Sequence, residues 1–495
     1  MAVSLVSTGV QFPDSTIQTT AAAASGSTTG TASGSIAAGA PTIVNSDGTF
    51  SAVTGATFSV GSPTQFAATA RTFTFSEYEP TSGNFIQTYT TAGGSSAGLV
   101  YVASVSGTTV TYGTGVNPNG SGTIDTIRCT AIGSSKILCT YYLNNGYTYA
   151  VVGTVSGTSI SFGTPVQFPL QNSTNAYPVY NPSTGTVFVA WTSAANGYPY
   201  GNVVSISGTT CSVGSTVNIH LNAGYSTCGV YDASIAKVVL FYSGSSSYLS
   251  SRVITMSGTS FSVGTESQYT AQAITNGFAS AYNASTASVV TAVHLTSNLL
   301  YALVSQNTSS TVTFGTPVAV SGFGTNTGLK TYATYVNAAG QVCFVGAQPS
   351  PYYLSFAMIS NSGLVPTVST ANTQLNTETQ FNGNYETFSA AWSTAINKMY
   401  TPTYLASMSA RGGLVFTPPY TNVTTDNFLG LSTASYTNGQ TATVNVVGGV
   451  NTSVTSLTAG RKYYVQGSGA LSTTAGNPNV YAGLATAATK IVVKG

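Results

Sequence analysis

Ten carboxylates and two histidines are spread over 495 residues, so acid–base or metal chemistry depends on the few places where such groups meet. Glu77 and Glu79, in SEYEP, form the one close pair. On an extended strand an i, i+2 spacing puts both side chains on one face, a geometry compatible with a glycosidase pair or a cation site. Pro80 follows directly, and a solvated turn is the favoured reading. His220 has no Ser or Cys nucleophile motif near it. His294 lies inside an apolar, strand-like run, and both histidines read as structural or solvated. There is no HExxH, no P-loop, no EF-hand loop and no GxSxG in a strand–turn–helix context. The expectation is a protein without catalytic residues, metal ligands or cofactor, and not an enzyme.

Five cysteines, Cys129, Cys139, Cys211, Cys228 and Cys343, make an odd number without metal spacing. Cys129 and Cys139 flank the turn around Ser134 symmetrically and are placed to face each other across a hairpin. Buried free thiols are the favoured reading, because a long chain with a large core does not depend on disulfides.

The elements that would position any site repeat. Residues 157–168 read GTSISFGTPVQF, with variants at GTTCSVGSTVNI from Gly208, GTSFSVGTESQY from Gly258 and SSTVTFGTPVAV from Ser309. The second glycine of this motif falls at Gly61, Gly113, Gly163, Gly214, Gly264 and Gly315, with spacings of 52, 50, 51, 50 and 51. A period that steady marks a repeat architecture. Each repeat divides at its turn signals into four short β-branched and aromatic runs, as in YPVYN, TVFVAW, NVVSIS and TCSVGSTVNI of residues 175–219. Four antiparallel strands in about 50 residues is the signature of a β-propeller blade. Counting the first hairpin of each unit, from YEPTSGNFIQTY (78–89) to SAAWSTAINKMYTPTY (389–404), predicts seven blades. Residues 50–66 resemble a third and fourth strand with no hairpin before them, and 406–418 offers the same strands weakly at the other end; closure of the last blade by the N-terminal strands is the favoured expectation, because it removes exposed edges. The six glycines are expected at equivalent outer-strand positions, marking a bulge or a close backbone approach.

The fold class is therefore all-β: a seven-bladed propeller over 41–420. Before it lie a short N-terminal segment (1–19) and an Ala/Gly/Ser/Thr stretch (20–40) read as a flexible linker; after it, 421–495 reads as a small β-domain. Charged residues make up 4% of the chain and the net charge is +2, against roughly 25% charged in ordinary soluble proteins. Twelve scattered Lys and Arg do not make the clustered basic footprint that nucleic-acid binding needs. No run reaches the roughly 18 apolar residues a membrane helix needs, 289–304 being interrupted by His294, Thr296, Ser297 and Asn298, so no membrane insertion is expected. MAVSLVSTGVQFPDST has neither the basic nor the apolar region of a secretory signal.

In an up-and-down blade the first and third turns share one face of the disc and the second turns share the other. The first and third turns here are short and alike (NPSTGT, DASIAK, NASTAS; VSGTS, ISGTT, MSGTS). The second turns differ in length and content: TAGGSSAG, LNNGYTY, SAANGYPYG, SGSSSYLSS, AQPSPYY. A tyrosine recurs just before the third strand at Tyr101, Tyr149, Tyr200, Tyr248, Tyr301 and Tyr353, and a residue repeated in every blade is more often scaffold than site. Tyr with Ser, Gly and Asn is the mixture of adaptable recognition loops, and aromatic faces with amides suit neutral sugars. The ligand-binding candidates are Tyr147, Tyr198, Tyr200 and Tyr352.

The two ends resemble a known group. GVQFPDSTIQTTAA (9–22) is similar to the FPDGT-QTTAA leader of bacteriophage tail-fibre and related virion proteins, with Ser15 where glycine is usual. LTAGRKYYVQGSGALSTTAG…ATKIVVKG (457–495) resembles a terminal module of phage fibre-like proteins, often from marine cyanophages. The resemblance implies a virion structural protein assembled in the host cytoplasm and displayed on the virion surface. Its partners would be tail, adaptor or neck proteins and a host-surface glycan, and tail fibres are often trimeric. A head, neck or tail decoration protein with a purely structural role is the alternative, and a propeller glycosidase a minor one.

Overall fold

A computed structural model describes residues 4–6, 9–11, 17–18, 26–45, 47–67, 72–91, 98–171, 173–193, 195–220, 227–244, 247–295, 299–323, 331–348, 353–379, 389–405, 410–476 and 478–494. The chain divides into two compact units, Phe58–Pro418 and a second one made of Met1–Thr57 with Pro419–Gly495. Among the described residues every regular element of length is a β-strand, as the β-branched and aromatic runs require.

In Phe58–Pro418 the strands form seven antiparallel sheets in chain order. The third is typical: Ser173–Asn181, Thr186–Ser193, Pro199–Ser207 and Thr210–Val213, each hydrogen-bonded to the next. Its fourth segment is split, because the chain leaves the ladder at Gly214 and pairs again with the third strand at Val217–Asn218. The single run TCSVGSTVNI expected there is thus two strands around a break. The first strands of successive sheets pack side by side, with hydrophobic cores shared between neighbours; Leu138, Trp191 and Val204, for example, join the second and third sheets. Apolar faces that one small sheet cannot bury alone are buried between sheets, giving a β-propeller-like fold.

The seventh sheet combines Ala391–Ser393, Lys398–Leu405 and Ala410–Thr417 with Ser59–Val60 from the start of the unit. Its core is shared with the first sheet: Phe85 stacks on Tyr400 at 5.1 Å, and the phenols of Tyr112 and Tyr400 lie 2.9 Å apart.

The six motif glycines occupy one position. Each N–H donates to a valine carbonyl on the third strand of its sheet: Gly61 to Val415, Gly113 to Val102, Gly163 to Val152, Gly214 to Val203, Gly264 to Val253 and Gly315 to Val304. A Cβ at any of them would meet the backbone carbonyl oxygen of the next sheet's third turn, at 2.6 Å (Thr108), 1.7 Å (Thr158), 2.1 Å (Thr209), 2.0 Å (Thr259), 2.7 Å (Ser310) and 2.0 Å (Leu364) respectively. None of the six has positive φ. Close backbone approach between neighbouring sheets explains the period.

First turns and third turns meet on this face as well. Asn181, Asp232 and Asn283, at the ends of first strands, fold back to accept the N–H of Ser183, Ser234 and Ser285. Asp232 also accepts from Asn307, and Asn283 donates to Asn361, one sheet further on. Lys136 and Lys237 donate to the carbonyls of Gly208 and Ser309 of the following sheets. The uniform turns are uniform because each closes itself and clasps its neighbour.

In the other unit, Ser27–Thr31 pairs with Thr441–Asn445, and Pro41–Val44 pairs with Phe428–Ser432. The stretch 20–40, read from composition as a flexible linker, therefore supplies an edge strand. Its small residues serve contact: a Cβ on Gly30 would lie 2.6 Å from the Phe50 ring. The domain read as 421–495 is built with strands from 26–57.

Cys129 and Cys139 face each other in register on the first two strands of the second sheet and form a disulfide, correcting the favoured reading of free thiols. Cys211, Cys228 and Cys343 are free and buried; burial pushes Cys211 up to about 11, Cys228 up to about 12 and Cys343 further.

Candidate functional site

The second turns, opposite the clasped face, carry the candidate tyrosines. Asn145-Gly146-Tyr147-Thr148-Tyr149 of the second sheet and Asn196-Gly197-Tyr198-Pro199-Tyr200 of the third build the same structure. In each, the asparagine Oδ1 accepts the N–H two residues on: Tyr147 N to Asn145 at 3.1 Å, Tyr198 N to Asn196 at 3.0 Å. The asparagine Nδ2 donates to the phenol four residues on, Tyr149 at 2.9 Å and Tyr200 at 3.1 Å. Gly146 and Gly197 take φ of 87° and 71°, the left-handed turn that a side chain resists.

The second tyrosine of each motif is locked. Tyr149 stacks on the buried Tyr141 (5.7 Å, 12°) and donates to Gln167; Tyr200 stacks on the buried Trp191 (4.9 Å, 17°). Trp191 in turn donates to Asn202 at 2.8 Å. Tyr200 thus fits the scaffold role of the repeated tyrosines better than a freely presented binding group. Tyr147 and Tyr198 differ: both rings are half-exposed, and neither phenol hydrogen-bonds to a described residue. The structure places Tyr147, Tyr198 and Tyr200 at the same edge of neighbouring sheets; Tyr352 lies outside the described residues. Sequence reasoning missed Asn145 and Asn196, although the repeated NGYxY spacing was their signal.

The acidic pair is not a solvated turn. Glu79 is fully buried and accepts the N–H groups of Thr81 and Ser82, closing the first turn as Asn181 does. Glu77 lies two residues further inside, where burial pushes its carboxyl up to about 8. With Glu79 committed to the turn, the two carboxyls do not make an acid–base couple.

His220 and Glu266 pair at 3.0 Å, and Arg252 donates to Glu266 (3.5 Å), the Tyr242 phenol (3.0 Å) and the Gly264 carbonyl (3.0 Å). Burial pushes the Tyr242 phenol upward. This network ties the connection after the third sheet to the fourth, and Arg252 is committed within it. His294 is buried, with Nε2 3.3 Å from the Thr331 hydroxyl. Among the described residues no group of three His, Cys, Asp or Glu converges as a metal site would require.

No protein-family model matches the chain, and no curated protein matches it. Solved structures do. The BP39L lectin from Burkholderia pseudomallei superposes with a TM-score of 0.51 at 11% identity, covering 72% of this chain and all of the lectin. That likeness shows a shared fold, and the share covered is close to that of the Phe58–Pro418 unit. The SapL1 lectin in complex with alpha methyl fucoside (0.41, 12% identity, 62% of this chain and 97% of that one) and AofleA from Arthrobotrys oligospora (0.40, 9%, 67% and 93%) match more loosely.

Proposed function

We propose that the chain is a non-enzymatic glycan-binding protein of a virion surface, in which a closed seven-bladed propeller presents tyrosines on its second-turn face to a host sugar. The observation that carries the reading is the pair of NGYxY hairpins. Each spends an asparagine and a glycine to hold one tyrosine against the scaffold while presenting another, Tyr147 or Tyr198, with its phenol uncommitted to described residues. An aromatic face beside a free hydroxyl stacks on a sugar ring and bonds its hydroxyls. Closure into a ring is supported by Gly61, whose contact with Thr108 repeats between the seventh and first sheets what Gly163 makes with Thr209. The lectin fold likeness supports the architecture, and the resemblance of 9–22 and 457–495 to fibre-like virion proteins supports the setting. Attachment to other virion proteins through 1–19 and assembly as a trimer belong to the same reading.

The test is a glycan array probed with the full chain and with a Tyr147→Ala/Tyr198→Ala variant. Specific sugars bind the parent with little change between low and high salt, since few charges are present to be screened. The variant loses at least about tenfold while keeping its strand spectrum. Binding that survives both changes refutes this face as the site.

A further inference from the structure

The inner strands hold a second feature that the tyrosine hairpins do not explain. A cavity of about 320 Å³ opens among them, lined by Phe75 and Glu77 of the first sheet, Tyr177 of the third, Ser280 of the fifth and Tyr332 of the sixth. This is the lower end of the range for small-molecule pockets, room for a ligand of about one ring. Arg128, from the second sheet, stands against two of its walls. Its guanidinium carbon lies 4.8 Å from the centre of the Tyr177 ring and 5.7 Å from that of Phe75, two rings that line the cavity.

Ring faces stabilise a guanidinium but leave its N–H groups unpaired, because those lie in its own plane. Among the described residues Arg128 makes no ion pair and no side-chain hydrogen bond. Glu77 and the pair Tyr177 and Tyr332 offer protons as well. Burial holds Glu77 as a carboxylic acid up to about 8, with an O–H to give while it accepts the Ala131 N–H. Tyr177 and Tyr332 are hydrogen-bonded to each other, and burial pushes both phenols upward, so the pair keeps its protons. In such a pair one hydroxyl donates to its partner and the partner's own proton remains available.

A positive charge, a protonated carboxyl and a phenol converging on one small aromatic-walled space favour an anion with a flat or ring-shaped body. We propose that this cavity binds a small organic carboxylate, its carboxylate facing Arg128 and Glu77 and its body against Phe75, Tyr177 and Tyr332. A sugar acid and a simple aromatic acid share this chemistry.

The test is titration calorimetry on the full chain at pH 6.5 with glucuronate, benzoate, glucose and tetramethylammonium. At least one carboxylate is expected to bind at one site per chain, at least about tenfold tighter than either uncharged or cationic probe. Glucuronate alone identifies a sugar acid as the ligand class, and both acids a general carboxylate site. Arg128→Gln is expected to lose at least about tenfold, while Glu77→Gln, which keeps a neutral donor, stays within about threefold of the parent. Tyr147→Ala/Tyr198→Ala leaves this binding unchanged, so the cavity and the hairpin face succeed or fail separately. Absence of binding by both acids to the parent chain overturns the proposal, whatever the variants do. So does equal or tighter binding of glucose or tetramethylammonium, or carboxylate binding that survives in a folded Arg128→Gln protein.

Discussion

Gly163→Ala tests the account of the repeat. The new methyl carbon would sit 2.1 Å from the Thr209 carbonyl oxygen, where a carbon–oxygen contact needs about 3.3 Å, so two backbones must part by roughly 1 Å. Parting them strains the Gly163 N–H bond to Val152 (2.9 Å) and loosens the outer strand Ser159–Phe162 against the next sheet. Overpacking of this kind costs about 1–3 kcal/mol, and the backbone location of the clash points to the upper part of that range. Gly157, six residues earlier, is the control. It has φ of 56° and nothing near its would-be Cβ, so Gly157→Ala is disfavoured by the left-handed backbone alone, about 1 kcal/mol. Asparagine tolerates that conformation, so Gly157→Asn should recover most of the loss; Gly163→Asn should be at least as damaging as Gly163→Ala. Urea unfolding reads the midpoint at constant slope, and amide exchange localises the loosening to 159–162. A Gly163→Ala protein as stable as the parent, or one rescued by asparagine, refutes close approach as the cause of the period.

Three further outcomes follow from the same structure. Glu77 is held up to about 8 in the fold against 4.5 in the open chain, so the folded state binds the extra proton between those values. Stability should fall as pH rises through that window by up to on the order of 5 kcal/mol, and the difference between parent and Glu77→Gln unfolding profiles isolates the effect from other groups. Asn283→Ala removes both the turn-closing acceptor for Ser285 and the bond to Asn361, and should cost about 1–3 kcal/mol in the same urea assay; a neutral result would show the clasp to be idle. The thiols of Cys211, Cys228 and Cys343, buried and raised, should resist iodoacetamide at pH 8 in the native protein and react on unfolding, whereas rapid native labelling would contradict their burial.

What could be read from the chain before its structure was what repeats. Every sheet must solve the same contact with the next one, so Gly113, Gly163 and Gly214 appear at one spacing, and Asn181, Asp232 and Asn283 close alike turns. Periodicity therefore exposed the scaffold and, by subtraction, the variable face on which Tyr147 and Tyr198 stand. Composition misled where the same residues serve two ends. Gly, Ala, Ser and Thr in 20–40 suit a flexible linker, yet they also suit a strand lying against Phe50, and only the distant partner Thr441–Asn445 decides between them. Cys129 and Cys139 were readable as facing positions, but whether two facing thiols are joined is a matter of register, which a one-residue slip reverses.

Arg128, Tyr177 and Tyr332 escaped for a different reason, and Glu77 was legible only as half of an acidic pair with Glu79. With Glu77 they come from four sheets, do not repeat, and are separated by up to 255 residues, so no local pattern links them. Their conjunction also runs against the rest of the chain. A protein with 4% charged residues places a guanidinium and a carboxyl near its inner strands, where desolvation makes each costly. Elsewhere such groups are offset locally: Glu79 takes two turn amides, and Arg252 is ringed by Glu266, Tyr242 and Gly264. Arg128 has only ring faces among the described residues, and Glu77 only the Ala131 amide beside its own retained proton. A fold that clasps Glu79, Asp232 and Arg252 in this way has a physical reason to leave these two incompletely met if a ligand supplies what is missing. The cavity beside them is where that ligand would sit.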